Sequence, residues 1–334
     1  MKRREEYIDI YRGIAVMFMV FGHVQLGAGY DYYIHAFHMP MWFFVSGWFF
    51  KDKGNSITTV CVDKAKKLII PYLFFGFLHY WIAVLFWVKP VQIINLKYIK
   101  NLCLTNVSGL PIAGALWFLT CLFFAEIIFI FLRREIRNNV LFIIIVSVIA
   151  FFGTIYTRLF HTRIPWSVDV SFVAVGFIAI GYYFRKYSNH QILRCFLNLK
   201  AYQVLALAIV NAGFIFLNGY INLRTGNYAN ILLFWINAIW GILVYWNLSR
   251  IITVYNRRGV ITIRKYLSNI GEGSCVYLCL NQLTILILEN LIGMENDIKI
   301  QFAIGILTLI ILYPVMLMLT KTRASVLVGN FKKK

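Results

Sequence analysis

Long apolar runs, each about as long as a membrane-crossing helix and each bounded by a short cationic cluster, constrain this chain more than any other feature. A bilayer's hydrocarbon core is spanned by about 20 residues of α-helix. Ten segments have that length and character: 8–26, 34–50, 68–88, 115–132, 140–157, 167–184, 200–217, 229–248, 268–289 and 299–320. Hydrophobic residues make up 60% of the 334 positions, more than a soluble domain of this size could hide from water. The longest gap between segments, Lys89 to Gly114, leaves no room for a soluble domain. The expected fold is therefore all-α, a polytopic bundle of about ten transmembrane helices forming one domain over 1–334, with the lipid bilayer as its solvent.

The charges test this count. Lys and Arg number 33 against 13 Asp and Glu, an excess that also marks nucleic-acid binders. Here the cations sit in clusters between the apolar runs, so a nucleic-acid partner is excluded. With the N-terminus in the cytoplasm, 25 cations fall inside and seven outside: Lys89, Lys97, Lys100, Arg158, Arg163, Arg224 and Lys299. Arg12 remains within a helix. Cytoplasmic loops are enriched in Lys and Arg, so this split predicts both termini on the cytoplasmic side. It predicts a multi-pass protein of a cell membrane, the cytoplasmic (inner) membrane in a bacterium. The first segment is expected to remain as a helix rather than be cleaved as a signal, because Arg12 interrupts it and no A-x-A-like site follows. Six scattered cysteines without a CxxC pair suggest neither a disulfide framework nor a structural metal.

Ionisable groups inside a bilayer each ask for a reason, since insertion costs about 2.5–3.5 kcal/mol per group. The first helix carries Asp9, Arg12 and His23. Eleven residues at 100° each bring His23 to about 20° from Arg12's azimuth, and Asp9 lies one turn away on the same side. The three form one polar stripe, with Arg12 near the cytoplasmic end and His23 about 16 Å further along the axis. Asp9 and Arg12 also suit an interfacial ion pair. Histidine is the natural general base near neutral pH. In the second segment His35 and His38 stand at the outer start, level with His23, and Pro40 suits a first helical turn. Ser46 and Gly47 leave space for another backbone or a slender ligand.

Elsewhere the readings stay double. Asp169 suits a helix cap or an acceptor contact, and Glu126 an interhelical pair or an acid. Trp117 and Trp166 fit an interfacial belt, with sugar stacking as the alternative. Asn281 and Gln282 lie mid-helix, where they would bond another helix or a substrate. No group of residues reads as a metal site.

Several of these segments resemble the acyltransferase-3 family of integral-membrane acyltransferases, in particular its fucose 4-O-acetylase-like branch. YIDIYRGIAVMFMVFGHV is similar to the family's opening helix, with its Arg and His spacing carried by Arg12 and His23. HAFHMPMWFFVSG resembles the following segment. KAKKLIIPYLFF resembles the basic pair before Pro-Tyr, with Lys64 and Lys67 where relatives often have arginines. ALWFLTCLFF, PWSVDVSFVAVGFIAIGYYFR and YLSNIGEGSCVYLCLNQ resemble later segments, so the likeness spans most of the chain. Two departures stand out: lysines keep the charge of the basic pair but lose bidentate phosphate geometry, and Asn281 stands where many relatives have histidine.

The resemblance implies transfer of an acyl group, expected to be acetyl, from acetyl-CoA to a hydroxyl of an envelope carbohydrate. The acceptor is a polysaccharide, an oligosaccharide or a lipid-linked sugar. It implies His23 as general base, with Arg12, Asp9 and His38 in the catalytic set, and a covalent acyl-histidine as an alternative course. Arg12, Lys64, Lys67, Ser46 and Gly47 would hold the donor. His35, Trp117, Asp169 and Asn281 would face the acceptor. A proton-coupled secondary transporter of a small polar solute is the rival reading, weakened because no inverted repeat is visible.

Overall fold

The computed structural model describes residues 5–86, 99–105, 114–255, 257–293 and 297–331. Within them the chain is helical: α1 (Glu6–Phe21), α2 (Ala28–His35), α3 (His38–Trp48), α4 (Ile57–Phe86) and a π-helical turn Asn101–Thr105. A 3-10 turn, Gly114–Leu116, leads into α5 (Trp117–Glu135), followed by α6 (Asn139–Phe160). A second, Pro165–Ser167, leads into α7 (Val168–Lys186). Then come α8 (Gln191–Phe196), α9 (Ala201–Asn218), α10 (Ile231–Val254), α11 (Arg258–Glu272), α12 (Ser274–Ile292), α13 (Ile298–Lys321) and a closing 3-10 stretch, Arg323–Val328.

Seven helical stretches among the described residues are long and apolar enough to cross a membrane: Gly114–Glu135, Asn139–Phe160, Pro165–Lys186, Ala201–Asn218, Ile231–Val254, Ser274–Ile292 and Ile298–Lys321. They coincide with the last seven expected segments, save that 268–289 is divided at Gly273 between α11 and α12. A polytopic helical membrane protein follows. The first three segments take other forms. The 16 residues of α1 reach only about 24 Å, short of a hydrocarbon core. Segment 34–50 is broken at Ala36–Phe37, where Phe37 leaves helical geometry (φ −143°, ψ −17°). Residues 68–86 of segment 68–88 lie within the 30-residue α4, which carries Pro71 inside it, and 87–88 fall outside the described residues. Lys2 to Arg4, Lys89, Lys97 and Lys332 to Lys334, all counted in the charge split, lie outside the described residues.

Local chemistry sets several boundaries. The Asn138 side chain accepts from the N–H groups of Val140 and Leu141, starting α6, and Asn230 does the same for Leu233 at the start of α10. Such side chains satisfy donors that a helix N-terminus cannot pair internally. Pro40 falls in the first turn of α3, where its missing N–H is not needed.

The chain divides into two compact units. The first comprises Met1–Phe50, Phe177–Leu223 and Asn227–Ser274. There α1 packs against α11, α10 and α3. Two helix crossings in it are reciprocal glycine contacts. A side chain at Gly13 would fall on the carbonyl of Leu267, and one at Gly271 on the carbonyl of Asp9. Likewise Gly47 meets Ile178 and Gly181 meets Phe44. Small residues let backbones approach this closely where no solvent drives helices together. Between these crossings Trp246 is buried among Tyr7, Tyr11, Phe44 and Trp48.

The second unit comprises Lys51–Gly176, Arg224–Gly226 and Cys275–Lys334. In it α4 packs along α5, and the C-terminal 3-10 stretch folds back on α13 and α4. Gly329 lies against the backbone of Lys67.

Candidate active site

In the first unit, α1 delivers Asp9, Arg12 and His23. Asp9 is 6% exposed and lies 3.7 Å from the Arg12 guanidinium, so the expected ion pair forms, though loosely. Arg12 is half-buried and its Nη2 donates to Ser274 Oγ at 3.0 Å. Ser274, the first residue of α12, did not figure in the sequence reading, and a serine 262 residues away offers no sequence signal. His23 stands two residues past the end of α1, where its backbone N–H still reaches Val20 O. The expected stripe assumed one helix through His23, and the helix ends two residues before it.

Three histidines share one arrangement. His23 Nδ1 is 2.7 Å from Met19 O, His35 Nδ1 is 2.9 Å from Asp31 O, and His38 Nδ1 is 2.8 Å from Ile34 O. Each partner is a carbonyl four residues back, and a carbonyl only accepts. Nδ1 must therefore carry the proton, which makes Nε2 the accepting nitrogen in each neutral ring. The rings of His35 and His38 meet edge to face at 5.0 Å, and His35 also packs on Tyr220 at 5.5 Å. His38 is 6% exposed, while His23 and His35 are half-buried. Beside them Tyr33 and Tyr245 share a hydroxyl hydrogen bond of 2.7 Å. The contact with Tyr220, far along the chain, is another that spacing could not reveal.

The other expected site residues have found protein partners. Gly47 is occupied by the backbone of α7, the first of its two readings. Ser46, next to it, is half-buried. In the second unit Lys64 pairs with Glu126 at 2.8 Å, joining α4 to α5. Lys67 is exposed at its side chain. Trp117 is 5% exposed at the start of α5, against Phe118. Asn281, fully buried, donates within its own helix to Tyr277 O and Leu278 O. Gln282 makes the bond between elements, accepting from Ala115 N–H at 3.2 Å. Asp169, 2% exposed, pairs with Arg163 rather than capping α7. Trp166, which donates to Cys103 O, packs on Tyr72 and Phe124.

Chemically, the first unit offers tautomer-fixed histidines with an arginine on the helix just before His23, and both units offer paired charges. Among the described residues no group of His, Cys, Asp and Glu is arranged to hold a metal ion. The acyltransferase domain of the acyltransferase-3 family matches residues 5–320. No curated protein and no solved structure matches the chain.

Proposed function

The chain belongs to the acyltransferase-3 family and is a membrane acyltransferase, and from that premise we propose that it carries acetyl groups from acetyl-CoA to a hydroxyl of a cell-envelope carbohydrate, with His23 as general base. The observation that carries this reading is the bond from His23 Nδ1 to Met19 O. It fixes the tautomer whose Nε2 can take a proton, as base catalysis requires. His23 Nε2 removes the acceptor hydroxyl proton as that oxygen attacks the thioester carbonyl. The C–S bond then breaks, and the imidazolium returns the proton to the departing sulfur. His38 and His35 support the ring environment with the same tautomer, and Asp9 holds Arg12.

On the donor side, Arg12, beside Asp9 and bonded to Ser274, supplies a guanidinium charge toward an anionic donor. The charge split favours Arg12 at the cytoplasmic end of the first helix and His23 toward the outer end, with both termini cytoplasmic. An extended pantetheine arm would reach from one toward the other. Lys67 suits a phosphate contact as an exposed cation; Lys64 would have to leave Glu126 to serve as one. The fucose 4-O-acetylase-like segments favour a sugar acceptor.

Purified protein in nanodiscs, given radiolabelled acetyl-CoA and envelope glycans, should transfer label to glycan. Passage of a solute without acylation would instead support the transporter reading.

A further inference from the structure

Away from its clusters of Lys and Arg, the first unit holds a single charged side chain. In its stretches 13–50, 177–184, 201–223 and 227–249, Asp31 is the only Asp, Glu, Lys or Arg. It lies in the first turn of α2. Its backbone carbonyl is engaged by His35 Nδ1 at 2.9 Å, but its carboxylate accepts no hydrogen bond and meets no Lys or Arg among the described residues. Partial burial strengthens the hold of that carboxyl on its proton, and the nearby His35 ring weakens it. A donor supplied by a ligand would favour the charged form further.

Aromatic rings gather beside this carboxylate. Asp31, Tyr32 and His35 fall within about 100° of one another around the α2 axis. α2 packs against α9, and Gly219 (φ +84°) turns the chain out of α9 in a conformation that favours glycine. The turn sets the Tyr220 ring 5.5 Å from His35 and 5.7 Å from Tyr32, tilted to both. Asn222 Nδ2 donates to the Tyr220 hydroxyl at 3.2 Å, and paired backbone bonds between Asn222 and Asn227 brace the turn. Asp31, Tyr32, His35 and Tyr220 are all half-buried, so each keeps surface open to a ligand. His35 also touches His38 at 5.0 Å, so the cluster adjoins the histidines of the candidate site.

We propose that Asp31, with Tyr32, His35 and Tyr220, forms a binding site for a sugar ring that carries no anionic group. Hydroxyl or amino N–H groups of the sugar donate to the Asp31 carboxylate, which only accepts, while the apolar C–H face of the ring packs on the tyrosines. An acidic sugar would meet a carboxylate with no Lys or Arg beside it. That the bound sugar is the acetyl acceptor rests on the carbohydrate reading above; the preference among sugars does not.

The test uses the full chain in phosphatidylcholine nanodiscs, with affinities for methyl glucoside, methyl glucosaminide and methyl glucuronide read by saturation-transfer NMR. The first two should bind at least about tenfold more tightly than the glucuronide, because like charges set together at a binding site are costly. Asp31→Asn should bring all three to within about threefold of one another. Tyr220→Ala should cost affinity for each sugar without restoring the glucuronide. An unchanged melting temperature checks that each variant is folded. If Asp31→Asn does not fold, wild type decides: raising salt from about 0.05 to about 0.5 M should narrow the preference, since charge repulsion is screened. Equal affinity for the three sugars overturns the proposal, as does no binding of any, or a preference that survives both Asp31→Asn and salt. Binding of phosphocholine that needs Asp31, with no Asp31-dependent sugar preference, would assign the carboxylate to a lipid ammonium and overturn it too. An Asp31-dependent sugar preference without acetyl transfer to any glycan would keep this site and sink the carbohydrate acetyltransferase reading. Acetyl transfer that treats neutral and acidic glycans alike, in wild type and in Asp31→Asn, would do the reverse.

Discussion

Both units hold ion pairs, Asp9–Arg12, Glu5–Arg185 and Glu6–Arg264 in the first and three more in the second, and they differ in what else is tied down. In the first, the histidines are tied to backbone carbonyls within their own stretch of chain, which fixes the proton on Nδ1 and leaves chemistry to Nε2. In the second, charges are tied to one another: Lys64 to Glu126, Arg163 to Asp169 and Arg134 to Asp52. A backbone partner orients a side chain without neutralising it, whereas an ionic partner spends the charge on the fold. The proposed transfer chemistry therefore rests on the first unit's histidines, and the second unit's pairs register its helices.

That contrast can be broken most sharply at His23. His23→Ala should lower acetyl transfer by about 10²–10⁴-fold, the usual contribution of a general base, while coenzyme A binding stays near wild type. Loss of donor binding with turnover per bound donor preserved would reverse the assignment of base and anchor. The next largest effect is expected at the crossing that holds α1 against α11. Gly271→Ala places a methyl on the Asp9 carbonyl, and overpacking of this kind costs about 1–3 kcal/mol. A lower melting temperature with donor affinity falling in parallel would mark this crossing as what holds the stripe in place; an unchanged melting temperature would remove it from that role. Arg12→Ala should follow, raising the donor KM about tenfold with a smaller change in kcat, the pattern of lost binding rather than lost chemistry.

How much of this was legible in the sequence depended on the range of the interaction. Apolar length alone marked the seven helices that are long and apolar enough to cross a membrane, because that property is read from composition directly. The break at Ala36–Phe37 was only half legible, since Pro40 marked a first helical turn beside it but HAFHMPMW carries no glycine to end the helix before. The Asp9–Arg12 pair could be read because it is three residues apart on one helix. Ser274 with Arg12, Tyr220 with His35 and Arg163 with Arg224 could not, because nothing in their spacing foretells a tertiary contact. Nor could the sequence show that the space beside Gly47 is filled by α7.

The second unit supplies the finer test of the contrast. If Lys64 serves the fold, Lys64→Met should destabilise by about 1–3 kcal/mol by taking its cation from Glu126, which is 13% exposed. The double variant Lys64→Met, Glu126→Met should recover most of that loss, because an apolar pair removes the charge that lost its cation. If Lys64 instead holds the donor, its KM should rise equally in the single and double variants. The smallest effect belongs to Asp52, on an exposed loop, and Arg134, in the last turn of α5, joined by two hydrogen bonds of 2.6 and 3.0 Å. Hydrogen bonds from Arg134 and from the Gly54 N–H hold the Asp52 carboxyl below its ordinary range. A depressed carboxyl stabilises the fold at pH values above its unfolded pKa, near 4, and that contribution disappears as pH falls through the lower folded value. Wild type should therefore lose slightly more melting temperature between pH 6 and pH 3 than Asp52→Asn, which has no proton to gain. Equal losses would show that this surface pair, unlike Lys64 with Glu126, leaves the fold's stability untouched.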